Sequence, residues 1–177
     1  MDRILTELTS EMMAAFKRDM KAAFRYGALM AAGIDEEVLP EHDIDESLNT
    51  AGAVAYMAIL DGEMVGGAIL VIDSKASRGR LDFLYVKVGY QGRSVGQFIW
   101  TEVERKHPEI RLWETCAPYF DKRNIHFYIN RCGFHAVEFY CKYHPDPHFP
   151  PEEDDGFEGM FRFVKCTDPL HNIRKAP

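Results

Sequence analysis

One segment of the chain runs from a strand pattern through a glycine-rich turn into a helix pattern, and it restricts the fold most. Its sequence from Val86 is Val-Lys-Val-Gly-Tyr-Gln-Gly-Arg-Ser-Val-Gly, followed by Gln-Phe-Ile-Trp. Apolar residues alternate from Leu81 to Val88, which predicts a strand. Beyond the turn they recur at helical spacing from Val95 to Val103. A strand leading directly into an amphipathic helix predicts a sheet with helices packed on it.

The turn between this strand and this helix predicts a site for an anion. The first N–H groups of a helix have no partner within the helix, and the helix dipole favours negative charge there. Gly92, Ser94 and Gly96 are small enough for a phosphate to reach their backbone. A P-loop is excluded, because Gly92 and Gly96 are one residue too close and Gln97 stands at the lysine position. The dinucleotide-binding G-x-G-x-x-G pattern does not fit either, and the alternative is an ordinary turn without a ligand.

The composition is that of one globular domain, and we expect residues 1–177 to form it. The net charge of −7 argues against general binding to nucleic acid and makes a cationic substrate reasonable. No apolar run reaches the length of a membrane span, and no basic segment precedes an apolar stretch, so we expect neither a membrane partner nor a signal peptide. Four cysteines without a C-x-x-C pair indicate free thiols in a reducing cytoplasm.

Periodicity along the rest of the chain predicts the order β-α-α-β-β-β-α-β-α-β-β, a mixed α/β sheet with helices on both faces. Asp61-Gly62 between two strand patterns predicts a hairpin. The other predicted elements are a strand over 3–8, a helix from 12 that stops at Gly27 or Gly33, a short helix near 44–48, a loop over 75–79, and strands over 81–88, 111–115, 134–142 and 160–164. A long acidic, proline-rich loop is predicted over 144–159.

Two motifs in this order resemble the GNAT acetyltransferase superfamily, whose fold has the same element order. The turn resembles the family's coenzyme A pyrophosphate loop, [QR]-x-x-G-x-[GA], with Gln91 first, Gly96 last and Ser94 in place of the middle glycine. A second segment, from Asn124 through Tyr128 to Gly133, resembles the family's fourth-helix pattern. Tyr128 lies five residues before that glycine, where the family has four. Either the helix bulges there, or Tyr128 is not the equivalent residue.

The resemblance implies a coenzyme A site between strands four and five, which splay apart in this family. Pantetheine then bonds to the backbone of strand four, and pyrophosphate to N–H groups of the turn. Carried over to this chain, the cofactor-binding residues are Leu84, Val86 and Val88 on the strand, Gln91, Gly92, Arg93, Ser94, Val95 and Gly96 in the turn, with Gln91 and Arg93 at its rim, and Asn124 in the following motif.

The resemblance also suggests which residues carry the chemistry. Tyr128 is the candidate acid that protonates the departing thiolate, and the alternative is an aromatic side chain packed beside Phe127. Asp82 and Glu114 are the candidate bases, although water can serve instead and either carboxylate can be a surface charge.

The implied function is an acetyl-CoA-dependent N-acetyltransferase that acts on the primary amine of a small molecule. A non-catalytic acyl-CoA-binding module and a protein N-acetyltransferase are the alternatives. The resemblance further suggests a homodimer formed through edge strands. Cys141, His144 and His148 have spacing that could hold zinc, but they lack a fourth ligand, so no metal is expected.

Overall fold

The structure is a computed structural model that describes residues 2–147 and 159–167. Its secondary structure follows the predicted order. The elements are β1 (Arg3–Glu7), a 3-10 turn (Ser10–Met12), α1 (Met13–Ala32), α2 (Glu41–Asn49), β2 (Ala53–Leu60), β3 (Glu63–Asp73), β4 (Arg78–Val86), α3 (Val95–Lys106), β5 (Leu112–Pro118), α4 (Lys122–His126), a π-helical turn (Phe127–Arg131), β6 (His135–Tyr140) and β7 (Met160–Cys166).

All seven strands form one mixed sheet in the order β1-β2-β3-β4-β5-β7-β6. Neighbouring strands are antiparallel except β4 and β5, which are parallel. The hairpin predicted at Asp61-Gly62 joins β2 to β3. The mixed α/β fold expected from the sequence is therefore confirmed.

Helices cover both faces of the sheet, as the periodicity predicts. On one face, α3 packs its apolar stripe on β3, β4 and β5, and Trp100 meets Trp113 edge to face at 5.2 Å between ring centroids. On the other face, α1 and α2 bury Phe16, Met20 and Ile44 against the sheet. The two apolar layers hold the central strands rigidly between them.

The structure selects one of the two predicted stops of α1 and moves the start of one strand. Helix α1 continues through Gly27 and ends at Gly33, whose φ of 71° forms a left-handed C-cap. A single glycine weakens a helix by only about 1 kcal/mol, so Gly27 does not stop it. Strand β4 begins at Arg78, not at Leu81, because its first residues pair with both β3 and β5.

The predicted end of β4 at Val88 is wrong, since the strand ends at Val86. Gly89 has a φ of 93°, and the N–H of Tyr90 donates to the carbonyl of Lys87 at 3.0 Å. This turn takes Val88 out of the sheet and leaves it 43% exposed.

No helix within the described residues is long and apolar enough to cross a membrane. Most of the loop predicted over 144–159 lies outside the described residues, and so does His148. Cys141 and His144 face each other in an isolated β-bridge, and the described part of the chain holds no cluster of potential metal ligands.

Candidate functional site

A cleft opens in the middle of the sheet, where β4 and β5 part. The two strands pair only from Arg78 to Arg80 and from Leu112 to Glu114. A β-bulge at Asp82 follows, because Leu81 and Phe83 pair with adjacent residues of β3. Beyond this point β4 pairs with no other described strand on its β5 side, and a cavity of about 1770 Å³ extends from the parted strands to α1, α2, α3 and α4.

Backbone groups of β4 point into this cleft. The N–H of Lys87 donates to Val65 of β3, whereas the carbonyl of Val86 turns the other way and accepts from the Gln91 side chain. Residues of a strand alternate in the direction of their hydrogen bonds, so Leu84 and Val86 both face the cleft. They can therefore bond to an extended ligand as a neighbouring strand would.

The predicted anion-binding turn lies at the end of this cleft. Gly92 and Ser94 both adopt left-handed conformations, with φ of 81° and 60°, and α3 begins at Val95. The N–H of Phe98 donates to Ser94, so the N–H groups of Val95 and Gly96 have no carbonyl within the helix to bond. Ser94 makes no side-chain cap at this helix start, which leaves the position open to an anion.

Gln91 braces the turn through its side chain. Its Oε1 accepts from the N–H of Gly89 at 2.8 Å, and its Nε2 donates to the carbonyl of Val86 at 3.3 Å. Arg93 lies at the rim, as predicted, with its guanidinium 5.2 Å from the centre of the Tyr90 ring. Gln91 thus fixes the path of the backbone, and Arg93 supplies a positive charge beside it.

Gly96 and Asn124 each have a structural partner. A Cβ at Gly96 would lie 3.3 Å from the Phe127 ring, so the absence of a side chain lets α3 meet the π-helical turn closely. The Asn124 side chain donates to Asp121 at 2.7 Å, and Asp121 caps α4 by accepting from the Asn124 N–H at 3.0 Å. Both residues line the cavity.

Tyr128 lies in the π-helical turn, which supplies the extra residue that its spacing demands. The N–H of Cys132 donates to the carbonyl of Phe127, an i to i−5 bond, so the helix does bulge there. The ring packs against Phe134 and Phe163, each with its centroid 5.8 Å away. Tyr128 is 7% exposed and lines the cavity. Burial raises the pKa of its hydroxyl, and a hydrogen bond with Thr115 partly opposes that rise.

The two candidate bases lie on the same side of the cavity, each held by an arginine. Asp82 accepts from Ser47 of α2 and from Arg80, so both of its oxygens have donors. Glu114 accepts from Nη2 of Arg162 at 2.8 Å through Oε1. The same Arg162 also bonds to Glu138 of β6 at 3.3 Å.

Cys116 also opens onto the cavity. Water reaches the thiol, yet its enclosure by the cavity walls raises its pKa to about 11. The group is therefore a protonated thiol at neutral pH and a weak nucleophile.

Several residues of the cavity wall were missed from the sequence. They are Ser47, Arg80, Thr115 and Arg162. The pair of Arg80 with Asp82 could have been found, since residues two apart share a face of a strand. The others depend on contacts between distant parts of the chain, for which one sequence carries no signal.

Comparisons with known proteins agree with this geometry. Residues 13–134 match the model of the acetyltransferase (GNAT) family. The chain is 38% identical over 175 residues to the uncharacterized protein YrkN of Bacillus subtilis strain 168, an alignment that covers 92% of this chain and 93% of that one.

Solved structures with the same fold include two N-acetyltransferases. The ribosomal-protein-S18-alanine N-acetyltransferase of Escherichia coli has a TM-score of 0.67 at 13% identity, covering 93% of this chain and 94% of that one. The PaiA N-acetyltransferase of Thermoplasma acidophilum, in complex with coenzyme A, has a TM-score of 0.67 at 19% identity. That alignment covers 94% of this chain and 99% of that one. At these identities the likeness concerns the fold.

Proposed function

Because the chain belongs to the GNAT acetyltransferase family, we propose that it transfers the acetyl group of acetyl-CoA to the primary amine of a small molecule. The observation that carries this proposal is the cleft between β4 and β5, which leads directly to the open N-terminus of α3. An extended chain ending in a pyrophosphate fits such a cleft, and the structural relative from Thermoplasma acidophilum was solved with coenzyme A.

Each part of the cofactor has a partner in this arrangement. Pantetheine bonds to the backbone of Leu84 and Val86, which face the cleft. The pyrophosphate takes N–H groups from the turn over 92–96, with Arg93 at the rim. Val88 has left the strand, so we assign it no contact with pantetheine. Gln91 and Asn124 act by holding the turn and α4 in shape.

The reaction itself is a direct acyl transfer. The amine nitrogen attacks the thioester carbon, the C–N bond forms, and the C–S bond breaks to release the thiolate of coenzyme A. Tyr128 gives its proton to that thiolate, a role that suits a phenol kept protonated by burial. A backbone N–H of β4 in the cleft stabilises the oxyanion.

We assign the base that takes the proton from the amine to Glu114. Its described hydrogen bond uses Oε1, whereas both oxygens of Asp82 are occupied by Ser47 and Arg80. Asp82 then serves to hold Arg80 against the cavity wall. If Glu114→Gln keeps the wild-type turnover rate, the base is instead Asp82 or a water molecule.

The charges along the cavity favour a cationic acceptor. Near α4 and the π-helical turn the lining carries Lys122, Arg123 and Arg131 against the carboxylate of Asp121, and this positive excess suits the phosphates of the cofactor. Elsewhere in the lining the carboxylates outnumber the arginines; the acidic residues there are Asp43, Glu46, Asp82, Glu114, Glu138 and Asp146, and the basic ones Arg78, Arg80 and Arg162. An amine is drawn to that end before it loses its proton.

Thiol release from acetyl-CoA tests the proposal, measured with polyamines, aminoglycosides, amino acids and peptides as acceptors. We expect turnover with at least one small amine. Binding should be measured in parallel as the rise in melting temperature with coenzyme A and with desulfo-CoA, which retains the pantetheine and pyrophosphate contacts. Binding without any turnover would indicate an acyl-CoA-binding module, and turnover with peptides alone a protein acetyltransferase. No thermal shift at millimolar coenzyme A would contradict both.

We further propose that residues 1–177 form a single domain, that the protein works in the cytoplasm, and that it forms a homodimer. Both apolar layers pack on one sheet, which supports a single domain. The four cysteines are free, which supports a reducing compartment. The edge strand β6 exposes apolar side chains, which supports a homodimer.

A further inference from the structure

An apolar wall closes one side of the cavity. Its side chains are large and uncharged and come from α1, from the chain between α1 and α2, and from β4; they are Phe24, Tyr26, Met30, Val38, Leu39 and Phe83. The rings of Phe24 and Phe83 meet edge to face at 5.8 Å between centroids. Tyr26, Met30 and Val38 are exposed, Met30 to 67%. Large apolar side chains grouped at the mouth of a cavity are typical of a surface that binds an apolar ligand.

The helix and loop part of this wall presents no charge to the cavity. Between residues 23 and 39, all of which the structure describes, no acidic or basic side chain lines the cavity. Arg25 and Asp35 lie in this stretch, but they pair with each other at 2.8 Å and are not part of the lining. A second ammonium group of an acceptor would lose water against this wall without gaining a carboxylate, and that loss is unfavourable.

The bulge at Asp82 places the Phe83 ring on the same face of the sheet as the candidate bases. Side chains of neighbouring residues in a regular strand point to opposite faces. Here Asp82 bonds to Ser47 of α2 and Phe83 packs on α1, so both lie on the face that these helices cover. Glu114 pairs with Arg80, which bonds to Asp82, so Glu114 lies on this face too. An amine whose nitrogen lies at Glu114 therefore has the wall beside its body.

We propose that the apolar wall selects the acceptor, and that the acceptor is an arylalkylamine, a single primary amine on an aromatic body, rather than a polyamine or an aminoglycoside. This proposal rests on the proposed acetyl transfer to a small amine and names the class of that amine. The nitrogen lies at Glu114, and the aromatic ring packs beside the rings of Phe24 and Phe83, which favour edge-to-face contact with another ring.

The experiment compares 4-phenylbutylamine with 1,4-diaminobutane, which share a four-carbon chain and a primary amine and differ in the group at the far end. Butylamine, which has no far group, is the reference. Calorimetry measures the Kd of each amine for the protein saturated with coenzyme A, and thiol release measures its kcat/KM with acetyl-CoA.

Two variants shorten or change the wall, and one leaves it intact. Phe24→Ala removes a ring, and Met30→Gln changes an exposed position should the alanine variant fail to fold. Leu29→Ala is the matched control, because Leu29 is an exposed apolar residue of the same helix that is not part of the cavity lining.

We expect 4-phenylbutylamine to bind at least about 10-fold more tightly than 1,4-diaminobutane and to have a kcat/KM higher by a similar factor, because its ring leaves water on binding. Phe24→Ala and Met30→Gln should each weaken the binding of 4-phenylbutylamine by about 5-fold or more and leave that of butylamine within about 2-fold. Neither should change KM for acetyl-CoA, and Leu29→Ala should change none of these quantities.

Equal or tighter binding of 1,4-diaminobutane would overturn the proposal. So would a loss in Leu29→Ala as large as that in Phe24→Ala, since the effect would then not come from the wall. A failure of the proposed function looks different, because the wild-type protein would release no thiol with any amine, whereas calorimetry would still decide which amine the site binds.

Discussion

Ser94 shows how a single residue of the anion-binding turn carries backbone strain. It adopts φ of 60° and ψ of 19°, a left-handed conformation that costs a non-glycine residue about 1–2 kcal/mol. Ser94→Gly removes that strain. It also raises the conformational entropy of the unfolded chain, which lowers the free energy of unfolding by up to about 1 kcal/mol. We expect a net gain of about 0.5–1 kcal/mol in the free energy of unfolding, measured by urea denaturation. Ser94→Ala keeps the Cβ and is the control, and a similar gain there would disprove the strain.

Tyr128 decides whether the site has a dedicated acid. Tyr128→Phe removes the hydroxyl and keeps the ring between Phe134 and Phe163. We expect kcat to fall by about 100-fold, with little change in coenzyme A affinity. Because the pKa of Tyr128 is raised, the group stays protonated through neutral pH and should limit the rate only in alkaline solution. An unchanged kcat in steady-state thiol release would leave Tyr128 as a packed aromatic residue.

Cys116 should react with alkylating agents more slowly than its exposure suggests. With a pKa of about 11, about one thiol in a thousand is ionised at pH 8. We expect its rate of modification by iodoacetamide to rise about 10-fold per pH unit between pH 7 and pH 10, followed by peptide mass spectrometry. The urea-unfolded protein is the control, in which the thiol should regain ordinary reactivity. Fast labelling of the folded protein at pH 7 would contradict the raised pKa.

At the residue scale, the sequence identifies the candidate catalytic side chains better than it identifies the residues that hydrogen-bond to them. The family resemblance suggested Asp82 and Glu114 as candidate bases, and the structure gives each an arginine. Arg162 reaches Glu114 from 48 positions away. No local pattern of a single sequence encodes such a pairing, so the proposal of Glu114 over Asp82 as the base depends on contacts that only the structure gives.

At the scale of the element, the π-helical turn over 127–131 is the main departure from regular periodicity. The sequence shows it only as a departure from the GNAT pattern, since Tyr128 lies five residues before Gly133 where the family has four. Two solutions remained open there, and the i to i−5 bond between Cys132 and Phe127 selects the bulge. A regular period of 3.6 residues is compatible with the second solution, in which Tyr128 is not the equivalent residue, so periodicity alone could not indicate the bulge.

The contact between α3 and this turn can be tested at Gly96. Gly96→Val places a side chain where a Cβ already lies 3.3 Å from the Phe127 ring, so we expect a loss of about 1–3 kcal/mol in stability. Coenzyme A affinity should fall as well, because the start of α3 moves. The double variant with Phe127→Ala makes room for the new side chain. Calorimetry should then measure the melting temperature and the affinity for coenzyme A of the double variant. If the melting temperature recovers and the affinity does not, the phosphate itself requires a backbone without a side chain at position 96.

The converse result separates the two roles of Gly96. If the double variant recovers both stability and affinity for coenzyme A, the glycine is required for packing against Phe127 only. If Gly96→Val alone leaves both quantities unchanged, neither role applies.

At the scale of the whole molecule, the order of helices and strands along the chain could be predicted because it follows from local patterns. The cleft could not be predicted from periodicity, and only the resemblance to the GNAT family implied that strands four and five splay apart. The cleft depends on β4 pairing with β3 along its length while pairing with β5 at three positions only. The bulge at Asp82 accompanies that change, and an extra residue in one strand leaves no mark in an alternating apolar pattern. The anion-binding turn could be predicted from local patterns, whereas the long site that leads to it was expected only from the family resemblance.

The two edges of the sheet offer a test of the proposed homodimer. Strand β6 ends one edge and exposes Val137 (50%) and Phe139, whereas β1 ends the other and exposes Ile4 (49%). An uncovered edge strand with apolar side chains favours pairing with a second chain. We expect light scattering to give twice the mass of the chain, and Val137→Lys to give the monomer mass. Ile4→Lys is the matched control on the opposite edge and should stay dimeric. A monomeric wild-type protein would remove the dimer, and a monomer from Ile4→Lys alone would move the interface to β1.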